Sequence, residues 1–337
     1  MKNVTIRALA KELNLSVSTI SKALRDSYEI SEETKQRVLE VANRLSYTPN
    51  PYASSLRGKK SKNIAVVIPE IADSFFAIAI NGIEAVVKEK GYHVLICLTH
   101  ESFENEKAIL REFGSGRVDG VLMSVSSETT SCEHISDLID KEVPVVFFDR
   151  VLDEVDTDKI ITNDFESGYA ATRHLVEKGC KKIAYLGISK SLAISNNRME
   201  GYKKALADHH ISFEASDIVL CTNDPAYNIE IVKELLQRKK RPDGIVASVE
   251  KLTTTVYQAC NELQLAIPRQ LRIVCFSNLE IATILHPSLT TITQPAFEMG
   301  KSAATVLLKA LDKKNNGQPK KQLVIPSTLI IRGSSSI

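Results

Sequence analysis

The 337-residue sequence predicts an α/β protein in which a helix-turn-helix head and a short hinge helix precede two doubly wound α/β lobes. Three observations predict it. Three short amphipathic segments, each opened by a capping residue, lie before Tyr47. From Asn63 onward, short continuous apolar runs alternate with helix-length amphipathic stretches. Continuous runs are strands covered on both faces, hence parallel βαβ units. Charge divides at the same place: the chain is +2 overall, but residues 1–60 hold eleven Lys and Arg against six acids, so a head at +5 precedes a remainder at −3. A basic module on a mildly acidic body suits a polyanionic partner.

In the head, Thr5 is a good N-cap, and Ile6, Leu9, Ala10 and Leu13 follow at helical spacing. Asn14 and Leu15 interrupt. Ser16 caps a second helix that turns Ile20, Ala23 and Leu24 inward and leaves Val17, Ser18, Ser21, Lys22 and Arg25 outside. A third helix begins at Ser31, with Glu32 and Glu33 where the macrodipole favours acids and Val38, Val41, Ala42 and Leu45 buried. Two short helices braced by a third match the unit whose second helix enters the DNA major groove; an ordinary three-helix bundle has the same spacing. The next segment favours DNA. Asn50-Pro51 opens, and Gly58 closes, a helix of only two turns over 51–57. It exposes Leu56 beside Arg57, Lys59 and Lys60, and Leu is among the side chains wedged between base steps in a bent minor groove.

The body places strands at 63–68, 93–98, 120–125 and 144–149, then at 182–187, 244–248 and 272–277. Lys313 to Gly317 reads as a polar surface turn. Ligands of open parallel sheets bind beyond the carboxyl ends of the strands. Those ends carry Asp73, Phe75 and Phe76, then Ser124, Asp149 and Arg150, and in the second series Ser248 and Ser277. Aromatic faces with a few carboxylate, hydroxyl and guanidinium groups suit a small polar ligand such as a sugar.

The runs TIRALAKELNLSVSTISKAL, SYTPN and NPYASSLRGKKS resemble the DNA-binding head and hinge of the lactose-repressor (LacI) family of bacterial transcription regulators. The stretches DSFFAIAINGIEAVVKEKGYHVLIC, VPVVFFDR, RMEGYKKAL and HPSLTTITQP resemble that family's effector domain, which is similar to periplasmic sugar-binding proteins. The resemblance covers essentially the whole chain. It implies a homodimeric regulator, by expectation a repressor, binding a pseudo-palindromic operator in double-stranded DNA. By resemblance, Val17, Ser18 and Lys22 read bases; Thr5, Ser16, Thr19, Ser21, Ser31, Tyr47 and Asn50 anchor phosphates or position the head; Ala53 and Leu56 sit in the minor groove. Arg25 stands where an Asn is usual and Ser54 replaces a common Gln or Arg, so backbone contacts there differ. The resemblance also implies a head at 1–49, a hinge at 50–61, a first lobe at 62–161 plus 291–321 and a second at 162–290 plus 322–337.

For the effector, the resemblance assigns Asp149 and Arg198, with Phe75, Phe76, Ser124, Ile194, Ser248, Ser277 and Gln294 alongside; the strand ends add Asp73 and Arg150. Ser277 lies where the family usually has Asp, and Ser248-Val249 replace a common Asn-Asp. Two chemistries stay open: an anionic sugar acid or phosphate countered by Arg198 or Arg150, and a neutral sugar with Arg150 paired to a nearby acid.

Other classes lose ground. Six single cysteines without a C-x-x-C pair read as reduced core residues of a cytoplasmic protein. No apolar run reaches the roughly 18 residues of a membrane span, and MKNVTIRALAKEL, with charges in every apolar stretch, lacks the pattern of a secretory leader. No P-loop, dinucleotide fingerprint, G-x-S-x-G or metal spacing appears, so no cofactor is expected and a sugar kinase or similar enzyme is disfavoured. A sugar-binding transport protein shares the body but not the basic head. The end at IIRGSSSI has no heptad pattern, which suits a dimer rather than a zippered tetramer.

Overall fold

Each head helix starts where a hydroxyl can take an orphan N–H. In the computed structural model, which describes residues 4–24, 26–47, 61–189, 191–312 and 320–336, α1 (Ile6–Leu13), α2 (Val17–Ala23) and α3 (Glu32–Arg44) are capped by Thr5, Ser16 and Ser31. Asn14 ends α1 in the left-handed conformation at φ 54°, and Leu15 N–H returns to the Ala10 carbonyl at 2.9 Å. Leu9, Ala10, Ile20, Ala23, Val38 and Ala42 form the head's core, with Leu24, Leu45 and Tyr47 packed at its edge. Sequence periodicity did not foresee Lys35, which is buried on α3 and reaches Asp26 and Glu32 at 2.6 Å each. The chain divides into two compact units, one ending at Ser61 and one beginning at Lys62. The expected hinge helix over 51–57 and the turn at 313–317 lie outside the described residues.

The second unit holds two six-stranded sheets. The first is built from β1 (Asn63–Ile68), β2 (His93–Leu98), β3 (Gly120–Met123), β4 (Val145–Phe148), β5 (Asp158–Ile161) and, from late in the chain, β11 (Gln322–Val324). The second holds β6 (Ile183–Gly187), β7 (Ile218–Leu220), β8 (Gly244–Ala247), β9 (Arg272–Phe276), β10 (Thr290–Thr293) and β12 (Thr328–Ile330). Their orders are β11-β5-β4-β3-β1-β2 and β12-β10-β9-β8-β6-β7. Every pairing is parallel except β10 with β12.

Alternation along β1 sends Ile64, Val66 and Ile68 to one face, under α4 (Ser74–Glu89) and α11 (Ala296–Ala310). Ala65 and Val67 go to the other, under α5 (Phe103–Phe113) and α6 (Glu133–Asp140). In the second lobe, Ile183 and Tyr185 face α7 (Asp164–Glu177) and α8 (Ala193–Asp208). Ala184 and Leu186 face α9 (Pro225–Leu236) and α10 (Leu252–Glu262). Both sheets are therefore covered on both faces, as the continuous apolar runs required.

The lobe boundaries need correction. The expected second crossing, at 290/291, falls inside β10, after its first residue, and the third, at 321/322, falls just before β11. Thr290 pairs with Val274 of the second sheet and Gln322 with Lys159 of the first, so each strand stays with the lobe the chain is leaving. The chain crosses after β5, after β10 and between β11 and β12.

Candidate functional site

On α2, Val17 and Ser18 are exposed and Lys22 is half-exposed, its ammonium paired with Glu29. Ser16 Oγ accepts Thr19 N–H at 3.0 Å and meets Thr19 Oγ1 at 2.8 Å. Thr5 and Ser31 cap in the same way, through Ala8 and Thr34 N–H at 3.3 and 3.4 Å. Ser21 lies partly exposed on α2, and Tyr47 packs on the core, where burial pushes its phenol up. The cap bonds fix the start of α2 and so aim Val17, Ser18 and Lys22. Arg25, Asn50, Ala53 and Leu56 lie outside the described residues.

Between the lobes, the carboxyl ends of the strands enclose a cleft of about 470 Å³, counting space open to solvent. Asp73, Phe75, Phe76, Asp149, Arg150, Ile194, Arg198, Ser277 and Gln294 line it, which brings together nine of the expected positions. Asp73 caps α4 by accepting Phe75 N–H at 2.9 Å. Burial, then the charge of Glu250, raises the Asp73 carboxyl from 3.8 to about 6. Phe75 and Phe76 meet edge-on at 5.3 Å between ring centres.

Asp149 follows β4 in the left-handed region at φ 64°, a conformation that costs an aspartate about 1–3 kcal/mol and recurs where a side chain must be aimed. Its Oδ1 accepts Gln294 Nε2 at 3.3 Å. Burial pushes its carboxyl up, and Arg150 and Arg198 offset part of that.

Both cleft arginines have acids. Arg150 Nη1 donates to the two Glu101 oxygens at 3.0 and 2.9 Å. Burial pushes Glu101 up, but Arg150 and Ser127 N–H outweigh it and hold the carboxyl below its ordinary range. Arg198 is 3% exposed. Its Nε donates to Asp164 at 2.7 Å and its Nη1 to the Ser248 carbonyl at 2.6 Å, while the guanidinium lies 4.1 Å from the Phe276 ring centre. Among the described residues its Nη2 has no partner.

Two helix contacts seat this arginine. A Cβ on Gly168 of α7 would lie 2.2 Å from the Arg198 carbonyl oxygen, and one on Gly201 of α8 would lie 2.1 Å from that of Phe165. Only glycines allow α7 and α8 to approach this closely.

Ser124 and Ser248 correct the expectation, because they are buried behind the cleft and do not line it. Ser124 Oγ touches Asp149 at 3.5 Å and Arg150 N–H at 3.4 Å, whereas Ser248 contributes its carbonyl to Arg198. Ile188, Leu192, Ser195, Phe276 and Asn278 were missed, as was Glu250. The last matters most: the carboxylate that Ser277 lacks is supplied from position 250, whose Oε2 accepts Ser277 Oγ at 3.1 Å. The second lobe therefore keeps negative charge at Glu250, and Asp164 stands beside Arg198.

Comparison with known proteins places these features. Bacterial regulatory proteins of the lacI family match residues 5–50, and a periplasmic binding protein-like domain matches residues 172–335. The HTH-type transcriptional regulator RegA of Clostridium saccharobutylicum is 30% identical over 335 residues, 98% of this chain and 99% of the relative. The chain belongs to the lacI family. The ribose operon repressor of Halalkalibacterium halodurans is 30% identical over 331 residues, 97% of this chain and 96% of that one. The lac repressor dimer bound to operator and an anti-inducer superposes with a TM-score of 0.84 at 21% identity, covering 99% of each chain. This lacI-family chain is a DNA-binding transcriptional regulator: its head carries the family's DNA-binding unit and its body the family's two-lobed sensor. The compared relatives are regulators rather than enzymes. Among the described residues no helix is long and apolar enough to cross a membrane.

Proposed function

We propose that this regulator is a cytoplasmic, homodimeric repressor whose operator affinity is set by a neutral, polyhydroxylated effector of the sugar class, held between the lobes. The observation that carries the effector class is charge: Arg150 and Arg198 each face an acid already, and Asp73, Asp149 and Glu250 also face the cleft. An anionic effector would enter surplus negative charge, whereas a polyol finds carboxylate acceptors on the cleft wall. The rings of Phe75, Phe76 and Phe276 supply apolar walls. A relative named as a ribose operon repressor supports the same class.

In the head, Val17, Ser18 and Lys22 read bases and Thr5, Ser16, Thr19, Ser21 and Ser31 fix the backbone register, with Leu56 as the minor-groove wedge. Effector binding changes lobe closure and, through it, the spacing of two hinge segments in a dimer, which shifts operator affinity. A sugar-binding protein without DNA activity would not need the basic head.

Thermal unfolding of the full chain against neutral sugars, sugar acids and sugar phosphates tests the effector class. A ligand at 100 times its dissociation constant adds about 2.7 kcal/mol. Stabilisation by a neutral sugar is expected, and stabilisation by sugar phosphates alone would refute it.

A further inference from the structure

Glu250 stands three residues beyond β8, on the second lobe, with 7% of its surface exposed. Its Oε1 accepts Ser74 N–H at 2.9 Å, and Ser74 is the first residue of α4 on the other lobe. Its Oε2 accepts Ser277 Oγ at 3.1 Å and Asn278 N–H at 2.9 Å. One carboxylate thus ties the ends of β8 and β9 to the amino end of a 16-residue helix across the cleft. Helix amino ends carry unpaired N–H groups and partial positive charge, so a carboxylate there is bonded and charge-assisted at once.

Among the described residues, Leu192 packs into the first lobe's core, and two further polar contacts join the lobes near this edge. Ser191 Oγ donates to the Ser127 carbonyl at 2.7 Å, and the Lys251 ammonium lies 3.9 Å from Glu70. Both are solvent-exposed or loose, and such contacts contribute little. The Glu250 contact is buried.

We propose that Glu250 is the latch of the sensor: seated on α4, it ties the two lobes together across the cleft and positions Ser277 and Asn278 on the cleft wall. The inference builds on the cleft described above and adds its regulation. A latch at this position sets the spacing of the lobes, and hence the level of operator binding. Glu250 acts here as a positioning residue. The carboxylate has about four acceptor positions and the protein fills three, so one is left for an effector hydroxyl without releasing Ser74.

The test uses the unliganded full chain and needs neither DNA nor effector. Hydrogen exchange reports the Ser74 amide, and energy transfer between one fluorophore on each lobe reports their separation. Glu250→Ala is expected to speed Ser74 exchange by about tenfold or more, the scale of one charge-assisted hydrogen bond, and to lengthen the interlobe distance. Glu250→Gln, isosteric and still able to accept through its amide oxygen, is expected to move both readouts the same way by less. Ser277→Ala, which removes a second-lobe partner only, leaves Ser74 protected. Unchanged Ser74 exchange and lobe separation in Glu250→Ala would overturn the latch. Operator binding by the same wild-type preparation is scored separately, so failure of the latch leaves the regulator reading standing.

Discussion

Replacing Gly168 with alanine tests how Arg198 is held. The added Cβ would lie 2.2 Å from the Arg198 carbonyl oxygen and 2.9 Å from its Cα, where ordinary contact begins at 3.4 Å. Close-packed interiors relax little, so α7 and α8 must part by about 1 Å. Overpacking of this kind costs about 1–3 kcal/mol. The same displacement stretches the Arg198 bond to Asp164 at the start of α7, now 2.7 Å, past hydrogen-bonding range. Loss of one charged bond, about 1.5–3 kcal/mol, weakens effector binding by about tenfold to a hundredfold. Gly82→Ala is the control, because its Cβ would meet the Phe297 carbonyl oxygen at 2.1 Å, between α4 and α11 of the other lobe. The assays are thermal unfolding and calorimetric titration with an effector found by the sugar screen. Both variants should unfold earlier, but only Gly168→Ala should lose effector affinity by tenfold or more. Equal losses in the two, or none in Gly168→Ala, would refute the account of how Arg198 is seated.

The remaining predictions concern pH and the head. Asp73, raised from 3.8 to about 6 by burial and by Glu250, takes up its proton in the folded state before the unfolded one. Its contribution is therefore most favourable below pH 4 and is lost as pH rises to 6, by at most about 3 kcal/mol because the side chain keeps some solvent contact. Asp73→Asn keeps the cap and removes the titration. On going from pH 6.5 to 4.5 the wild type should gain more in urea midpoint than the variant, and parallel midpoints would contradict this. Glu29→Gln frees Lys22 and removes a charge from the face of α2, so operator binding at low salt should tighten a few-fold; weaker binding would detach Lys22 from DNA. Ser16→Ala deletes the bond to Thr19 N–H and should cost the head about 1 kcal/mol, read as a lower midpoint in its helix unfolding. An unchanged midpoint would show that the cap does not fix α2.

Much of the fold was legible because its signals are local. Caps at Thr5, Ser16 and Ser31 and apolar runs such as NIAVVI belong to single segments, and the structure places helices and strands there. The strands that escaped notice, β5, β7, β10, β11 and β12, are three or four residues long, and most carry polar or exposed positions. Their pairing comes from tertiary context rather than from a pattern. This is also why the second and third crossings were placed a few residues early.

In the site, residues at strand ends were readable from position alone. Glu250 was not, because it matters through atoms of Ser74, Ser277 and Asn278 that are far apart in sequence. The pairings of Arg150 with Glu101 and Arg198 with Asp164 were hidden for the same reason. Without them, a cleft with two arginines looks electropositive. The six cysteines are free; the four buried ones, Cys180, Cys221, Cys260 and Cys275, have thiols pushed up by burial to between about 11 and about 12, as inert core residues should.

One titration tests operator binding under effector control. A DNA site is selected from random duplexes by the full chain, and its affinity is followed by fluorescence anisotropy with and without the sugar that stabilises the protein, for the wild type and for Arg198→Ala. The expected result is a selected site with two-fold symmetry, an affinity that changes when the sugar is added to the wild type, and no such change in Arg198→Ala. A wild type that selects no DNA sequence, or an Arg198→Ala chain that responds to the sugar as the wild type does, would contradict it.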